Sequence, residues 1–218
     1  MKKIKSITEW THSIEKNRKP SKDGFKTGYK LYNNRGDIVE DCWFEIGGKL
    51  ISKQTYIYDR LGNLKKEHHH NPMGLIIETE IPKYNSNGKI VEVITKGTYT
   101  IIKKTINHYD KNGHLLEQVH YNRNKKIIAK SLFEYDNKGN LISEKEYDEK
   151  NGKILTHTTN KYDVNNNLVY TLNKGFFEGF GDSEFTFKYN EEGYETECIE
   201  LDSNHNPISL TKSKYEFY

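Results

Sequence analysis

Three groups of residues in this 218-residue sequence combine types and spacings that could do chemistry. The first is the run His68-His69-His70. Imidazoles ligate metals, and on a strand His68 and His70 would share one face about 6.6 Å apart, able to grip an ion if a third ligand joined them. No paired His, Cys or Asp motif with ligand spacing lies nearby, and the run leads straight into the turn residues Asn71-Pro72. Polar residues entering a turn are the simpler reading, so no metal is assigned. The second group is a belt of charged residues, Glu40, Lys66, Glu92, Glu117 and Glu197. Paired carboxylates about 5–10 Å apart can do acid–base work. This belt recurs down the chain, whereas a catalytic pair need occur only once, so a solvated ladder of charge is expected. The third group is the loop Gly175-Phe176-Phe177-Glu178-Gly179-Phe180-Gly181. Exposed Phe176, Phe177 and Phe180 would anchor a partner. Folded back, they would cap an open end of the sheet. The glycines and the charges of Glu178 and Asp182 favour the partner-binding role. Ser, Cys and His residues are too scattered for a triad, and there is no phosphate-binding or dinucleotide loop. Neither catalysis nor a cofactor is expected.

The elements that must position these residues are announced by a repeat. Tyr32-Asn33-Asn34-Arg35-Gly36-Asp37-Ile38 recurs as Tyr58-Asp59-Arg60-Leu61-Gly62-Asn63-Leu64, and further copies start at Tyr84, Tyr109, Tyr135, Tyr162 and Tyr189, about 26 residues apart. The Asp or Asn after Tyr caps a turn through its side chain. The Gly takes the positive φ that tightens a hairpin, and Asn166 fills that slot in the Tyr162 copy. Tyr and the aliphatic after the Gly flank the turn as a cross-strand pair. A looser set of turns, at Gly47-Gly48, Asn71–Gly74, Lys96-Gly97, Tyr121–Asn124, Tyr147–Gly152, Asn173–Gly175 and Leu201–His205, alternates with the strict one. The spacing predicts an all-β antiparallel up-and-down meander of about 14–16 strands, with strict turns at one end and loose turns at the other. Residues 1–24 read as a first strand and a polar loop, and residues 25–218 as the hairpin array, together one structural domain.

Along each strand the apolar residues sit near the ends and the polar ones near the middle. That pattern suits a twisted or rolled single sheet with a thin or wet interior. Three arrangements of the Lys-rich first and last strands are open: free edges guarded by lysine, closure into a barrel, or pairing with a second chain. The open sheet is the expectation, because a barrel of this many strands would enclose a lumen that the sequence lacks apolar volume to fill.

The Tyr-Asp/Asn-x-x-Gly-x-Leu turn in register from about residue 25 to 218 resembles the YD repeat of the RHS family. The resemblance implies β-hairpin sheets of the kind that wrap a cargo in large secreted toxins, or the small free-standing bacterial YD-repeat proteins. It transfers a fold and no active site.

Composition narrows the function classes. Apolar residues are 33% and charged residues 30%, with a net charge of +3 and both signs interspersed. Mean hydropathy is -0.93. A nucleic-acid footprint would cluster its Lys and Arg, so no nucleic acid is expected. Cys42 and Cys198 read as two free, half-buried thiols. No apolar run reaches a membrane span, and Met1–Trp10 has no signal-peptide core. A cytoplasmic location is therefore expected, or an exported one had a leader been removed. The leading reading is a non-enzymatic protein-interaction module, in one version an immunity or antitoxin-like factor covering a partner protein. The alternative is a carbohydrate- or cell-envelope-binding module.

Overall fold

The structure is a computed structural model that describes residues 2–15, 18–176 and 181–218. Among them are sixteen strands in a meander: β1 (Ile4–Ser13), β2 (Phe25–Tyr32), β3 (Ile38–Phe44), β4 (Leu50–Tyr58), β5 (Leu64–His70), β6 (Ile76–Tyr84), β7 (Ile90–Gly97) and β8 (Ile101–Tyr109). They continue with β9 (Leu115–Asn122), β10 (Ile127–Tyr135), β11 (Leu141–Asp148), β12 (Ile154–Tyr162), β13 (Leu168–Gly175), β14 (Ser183–Tyr189), β15 (Glu195–Leu201) and β16 (Pro207–Phe217).

Each strict turn is built as the repeat requires. In the Asp59 copy, Gly62 N–H donates to Asp59 O at 3.2 Å and Asp59 N–H to Asn63 O at 2.9 Å. Asp59 Oδ1 accepts the backbone N–H groups of Leu61 and Asn63 at 2.8 and 2.9 Å. One carboxylate oxygen thus occupies two donors that would otherwise face the turn unpaired. Gly62 has φ +93° and Gly113 φ +86°, the left-handed region that only the missing Cβ makes cheap. Asn166 holds the same conformation at φ +65°. The loose turns at Asn71, Asn122 and Asp202 use the same geometry, with Lys125 (φ +60°) and His205 (φ +60°) in the glycine slot. These three loose turns therefore differ from the strict ones in sequence more than in construction, whereas the turns at Gly97, where Gly97 N–H donates to Thr100 O, and at Asp148, where Asp148 N–H donates to Lys153 O, are built differently.

The expected Tyr–aliphatic pairs form, as in Tyr58↔Leu64 and Tyr109↔Leu115, each after a register shift at the Tyr. The Tyr hydroxyls add a second tie. They donate back to the first residue of the preceding strand: Tyr58 to Ile38 O at 2.8 Å, Tyr109 to Ile90 O at 2.7 Å, Tyr162 to Leu141 O at 3.0 Å and Tyr215 to Glu195 O at 2.6 Å.

The open sheet is corrected. β1 pairs with β16 from Ile4↔Phe217 to Ser13↔Ser209, so the hydrogen-bonded strand order closes into a barrel. Closure satisfies every lysine-bearing edge that was expected to stay free. The objection about apolar filling fails because the inner face is polar and its side chains bond one another, so no apolar volume is needed.

The strands group into two compact units, residues 1–79 with 186–218, and residues 80–185. In the first, the inner face carries Thr11, whose hydroxyl bonds those of Thr27 and Thr211 at 2.7 and 2.8 Å. In the second, Thr95, Thr105, Asn107, Ala129 and Ser131 are buried on the inner face. There Gln118 donates to Asn107 Oδ1 at 3.0 Å, and Thr171 to Asn160 Oδ1 at 2.8 Å.

Gly113→Val places a branched side chain at φ +86°, with its Cβ 3.1 Å from Lys89 Cε. It should cost more than about 1 kcal/mol. Asn166→Gly relieves strain at the loss of one exposed hydrogen bond, Asn140 Nδ2 to Asn166 Oδ1 at 3.2 Å, and should be neutral or stabilising. Thermal melts followed by circular dichroism compare the two; equal midpoints for wild type and Gly113→Val would contradict the turn assignment.

Candidate functional site

The two faces of the strands differ in chemistry. On the outer face, mid-strand charges pair between neighbouring strands. Lys53 meets Glu40 at 2.5 Å, Lys145 meets Glu134 at 3.2 Å and Lys188 meets Glu197 at 2.8 Å. Glu92 takes both Lys83 and Lys104 at 2.5 Å, and the hydrogen bonds from Lys104 and then Lys83 hold its carboxyl below the usual range. Three members of the expected polar belt, Glu40, Glu92 and Glu197, are thus ion-paired on the outside.

On the inner face of the first unit, charges from separate strands converge. Lys30 (β2) lies 3.4 Å from Glu9 (β1) and 4.0 Å from Asp41 (β3). Burial pushes the Lys30 ammonium down, but Glu9 and Asp41 more than offset it and the net shift is upward. Asp41 is 6% exposed, and burial raises its carboxyl to about 6, with Lys30 pulling the other way and Glu9 adding to the rise. Glu195 on β15 is also raised, by burial and then by Glu9. Side chains on β15, β1 and β2 thus lie close enough for their charges to act on one another. The thiols sit in the same unit as free cysteines, Cys42 buried and Cys198 half-buried. Burial first, and nearby carboxylates second, push them up to about 11 and about 12, which leaves them as poor nucleophiles at neutral pH.

His68 and His70 share the outer face of β5, with ring centroids 6.4 Å apart. Each is held by its neighbours: His68 Nδ1 is 2.9 Å from Thr79 Oγ1, and His70 Nε2 is 3.0 Å from Thr55 Oγ1, with Nδ1 3.1 Å from Gly74 O. Burial, then Lys66 and His70, lower the His68 pKa. His69 points to the opposite face, where its Nε2 lies 3.2 Å from Glu67. Of the aromatic loop, Phe176 is 56% exposed and its N–H donates to Leu155 O at 2.9 Å. Phe177 and Phe180 lie outside the described residues.

The loose-turn ends carry a feature that residue-type motifs missed. Several strands leaving these turns begin with paired aliphatics, and in β4, β6, β8 and β10 at least one of the pair is exposed, whereas Ile154 and Leu155 of β12 are half-buried. In the first unit these are Ile51, Ile76, Ile77 and Ile208, beside the exposed turn residues Ile46, Met73 and Leu75. In the second they are Ile101, Ile102 and Ile128, with Tyr99 98% exposed at the turn tip. The signal was legible as Leu-Ile, Leu-Ile-Ile, Ile-Ile and Ile-Ile after successive loose turns, at Leu50, Leu75, Ile101 and Ile127. In the second unit this rim opens into a cleft of about 480 Å³ whose walls include Ile101, Ile106 and Tyr121 with Lys104, Arg123 and Lys125.

No family model matches the sequence, and no curated protein matches it. Among solved structures, the chain is similar to a porin-like protein from Bacteroides uniformis, with a TM-score of 0.60 and 12% identity over 98% of each chain. A porin-like protein from Bacteroides vulgatus aligns over 99% of each chain at 12% identity, with a TM-score of 0.37. A chain in the crystal structure of TcdB2-TccC3-Cdc42 aligns over 97% of this chain at 11% identity and a TM-score of 0.31, and this chain spans 14% of its length. At such identities the first likeness shows the fold alone. It nevertheless corrects the cytoplasmic expectation. That expectation rested on the lack of an apolar span, and no helix among the described residues is long and apolar enough to cross a membrane. The strand order here is a closed sixteen-strand antiparallel barrel, a fold that crosses membranes, where it does so, with strands rather than helices, so the absence of an apolar helix gives no ground for a cytoplasmic location.

The carboxylates divide into two classes with opposite pH dependence. The turn residues Asp59, Asp110, Asp163 and Asp202 are held below the usual value chiefly by backbone N–H donors, and Asp136 by the Asn140 side chain and backbone. Their stabilisation is present above the unfolded value of 3.8 and is lost as pH falls below it. Asp41 is raised, so the folded state holds its proton more tightly than the unfolded chain. Its contribution is whole below 3.8 and is lost as pH rises to about 6. Asp41→Asn should therefore raise the melting temperature at pH 7.5 and change it little at pH 4. Melts of both proteins at the two values test this; an equal gain at both would remove the buried charge as the cause.

Proposed function

We propose that this chain is a non-enzymatic binding protein of a bacterial envelope, a closed barrel of YD-type hairpins that meets its target through its loose-turn end. The observation that carries the reading is the distribution of polarity on the outer face. A lipid-spanning barrel needs an apolar outer band about 25 Å tall, and charged side chains there cost about 2–4 kcal/mol each near the midplane. Here the mid-strand outer face holds Glu40–Lys53, Lys83–Glu92–Lys104, Glu134–Lys145 and Lys188–Glu197. Exposed aliphatics are most numerous at the loose turns and the strand starts next to them, with Leu61, Leu116 and Val164 exposed at the strict-turn end. Such a surface attaches at an interface rather than passing through it. The polar inner faces show hydrogen-bonded Thr, Asn and Gln, and the raised thiols offer no ready nucleophile, which supports a role without catalysis. The YD assignment is supported by the turn geometry and the Tyr–aliphatic pairs. A version in which the target is a partner protein, as for an immunity factor, has the turn resemblance as its support.

Fractionation of native cells tests the reading. The protein should sediment with envelope membranes and be released by high salt or alkaline carbonate without detergent. Recovery entirely in a membrane-free supernatant, or release only by detergent, would sink it.

A further inference from the structure

The cleft at the loose-turn end of the second unit combines two chemistries seldom placed together. Ile101, Ile106 and Tyr121 give it an apolar wall, and Lys104, Arg123 and Lys125 line its polar side. The surrounding segments 96–104 and 121–130 hold seven Lys or Arg and no Asp or Glu. Lys104 shares Glu92 with Lys83, while Arg123 and Lys125 are exposed and have no ion-pair partner among the described residues. Lys125 also sits at φ +60°, in the slot that other turns give to glycine. A non-glycine residue there costs of order 1 kcal/mol, and His205 carries the same conformation in another loose turn, so the position tolerates replacement by glycine.

We infer that this cleft binds a single anionic lipid, with its phosphate between Lys104, Arg123 and Lys125 and an acyl chain along Ile101, Ile106 and Tyr121. Charge complementarity selects the anion, because three cations converge with one shared carboxylate. The apolar wall selects an amphiphile over a free anion, since inorganic phosphate would leave Ile101 and Ile106 in water. Tyr99 and Ile102 flank the cleft as exposed apolar residues suited to the interfacial region from which such a lipid would enter. The assignment rests on the proposed envelope association and names its ligand class.

The probe is dihexanoyl phosphatidic acid, with inorganic phosphate, dihexanoyl phosphatidylcholine and a polyglutamate peptide as comparisons, each titrated calorimetrically into the full chain. Phosphatidic acid alone should bind measurably. The double variant Arg123→Gln with Lys125→Gly removes two cations and relieves the turn strain, so it should melt no lower than wild type and bind roughly thirtyfold more weakly, at about a factor of five per cation. Ile101→Ser should weaken the lipid without creating affinity for phosphate. The inference is overturned if wild type does not bind phosphatidic acid, if phosphate or polyglutamate binds as tightly, or if the double variant binds equally well. Fractionation of the double variant separates this from the broader reading: continued envelope recovery alongside absent phosphatidic acid binding would remove the lipid site and leave envelope association standing.

Discussion

One short contact organises this molecule: a side-chain oxygen of Asp or Asn accepting two backbone N–H groups across a five-residue turn. It recurs from Asn33 to Asp202. A meander has no long-range connection to set its register, so each hairpin must set its own. The Asx contact and the left-handed residue that follows do this locally. The bulge before each Tyr then places the ring against the aliphatic across the hairpin, as in Tyr58↔Leu64. The Tyr hydroxyl reaches back to the preceding strand, so that adjacent hairpins are tied at the strict-turn end as well as along their ladders.

Because stability comes from turns and ladders, the faces are free to carry polar residues. A sandwich of two packed layers would need a continuous apolar core. Here the largest buried groups on the inner face include Thr95, Thr105 and Asn107, and the buried apolar residues are few and small, such as Val119 and Ala129. Polar interiors cost little when each group finds a partner, and the Thr, Asn and Gln side chains supply partners for one another. The charged cluster of Glu9, Lys30 and Asp41 is the exception: burial raises the Asp41 carboxyl, and the nearby Lys30 only partly offsets that rise. The outer face follows a separate logic. Its middle is ion-paired and wet, and its loose-turn margin is apolar and basic. The same strand order in a lipid-spanning barrel would require the opposite distribution.

The architecture was largely legible in the residues. Positive φ demands Gly or Asn at fixed offsets from Asp or Asn, so the hairpins, their number and the Tyr–aliphatic pairs follow from local chemistry alone. The free thiols of Cys42 and Cys198 follow from their number and separation, and the shared face of Glu40, Glu92 and Glu197 and that of His68 and His70 follow from strand periodicity. The candidate cleft was not legible in the same way. Its members come from β8, β9 and the turn after β9, and each alone looks like an ordinary surface residue. Only the register Lys104↔Tyr121 brings them together.

Closure was the other matter beyond local reach. Whether Ile4 meets Phe217 depends on the accumulated twist and stagger of every strand between them, and no residue encodes that sum. The argument from missing apolar volume failed because it assumed a dry interior. The compartment inference failed with it, since it looked for an apolar helix, whose absence says nothing of a closed barrel. Local turn chemistry, acting over a few bonded residues, was determined by the sequence itself. The union of the first strand with the last, the concavity that crowds Glu9, Asp41 and Glu195, and the meeting of aliphatic and cationic side chains at one cleft were decided only in the tertiary structure, because each requires distant strands to be placed in space before their side chains can interact.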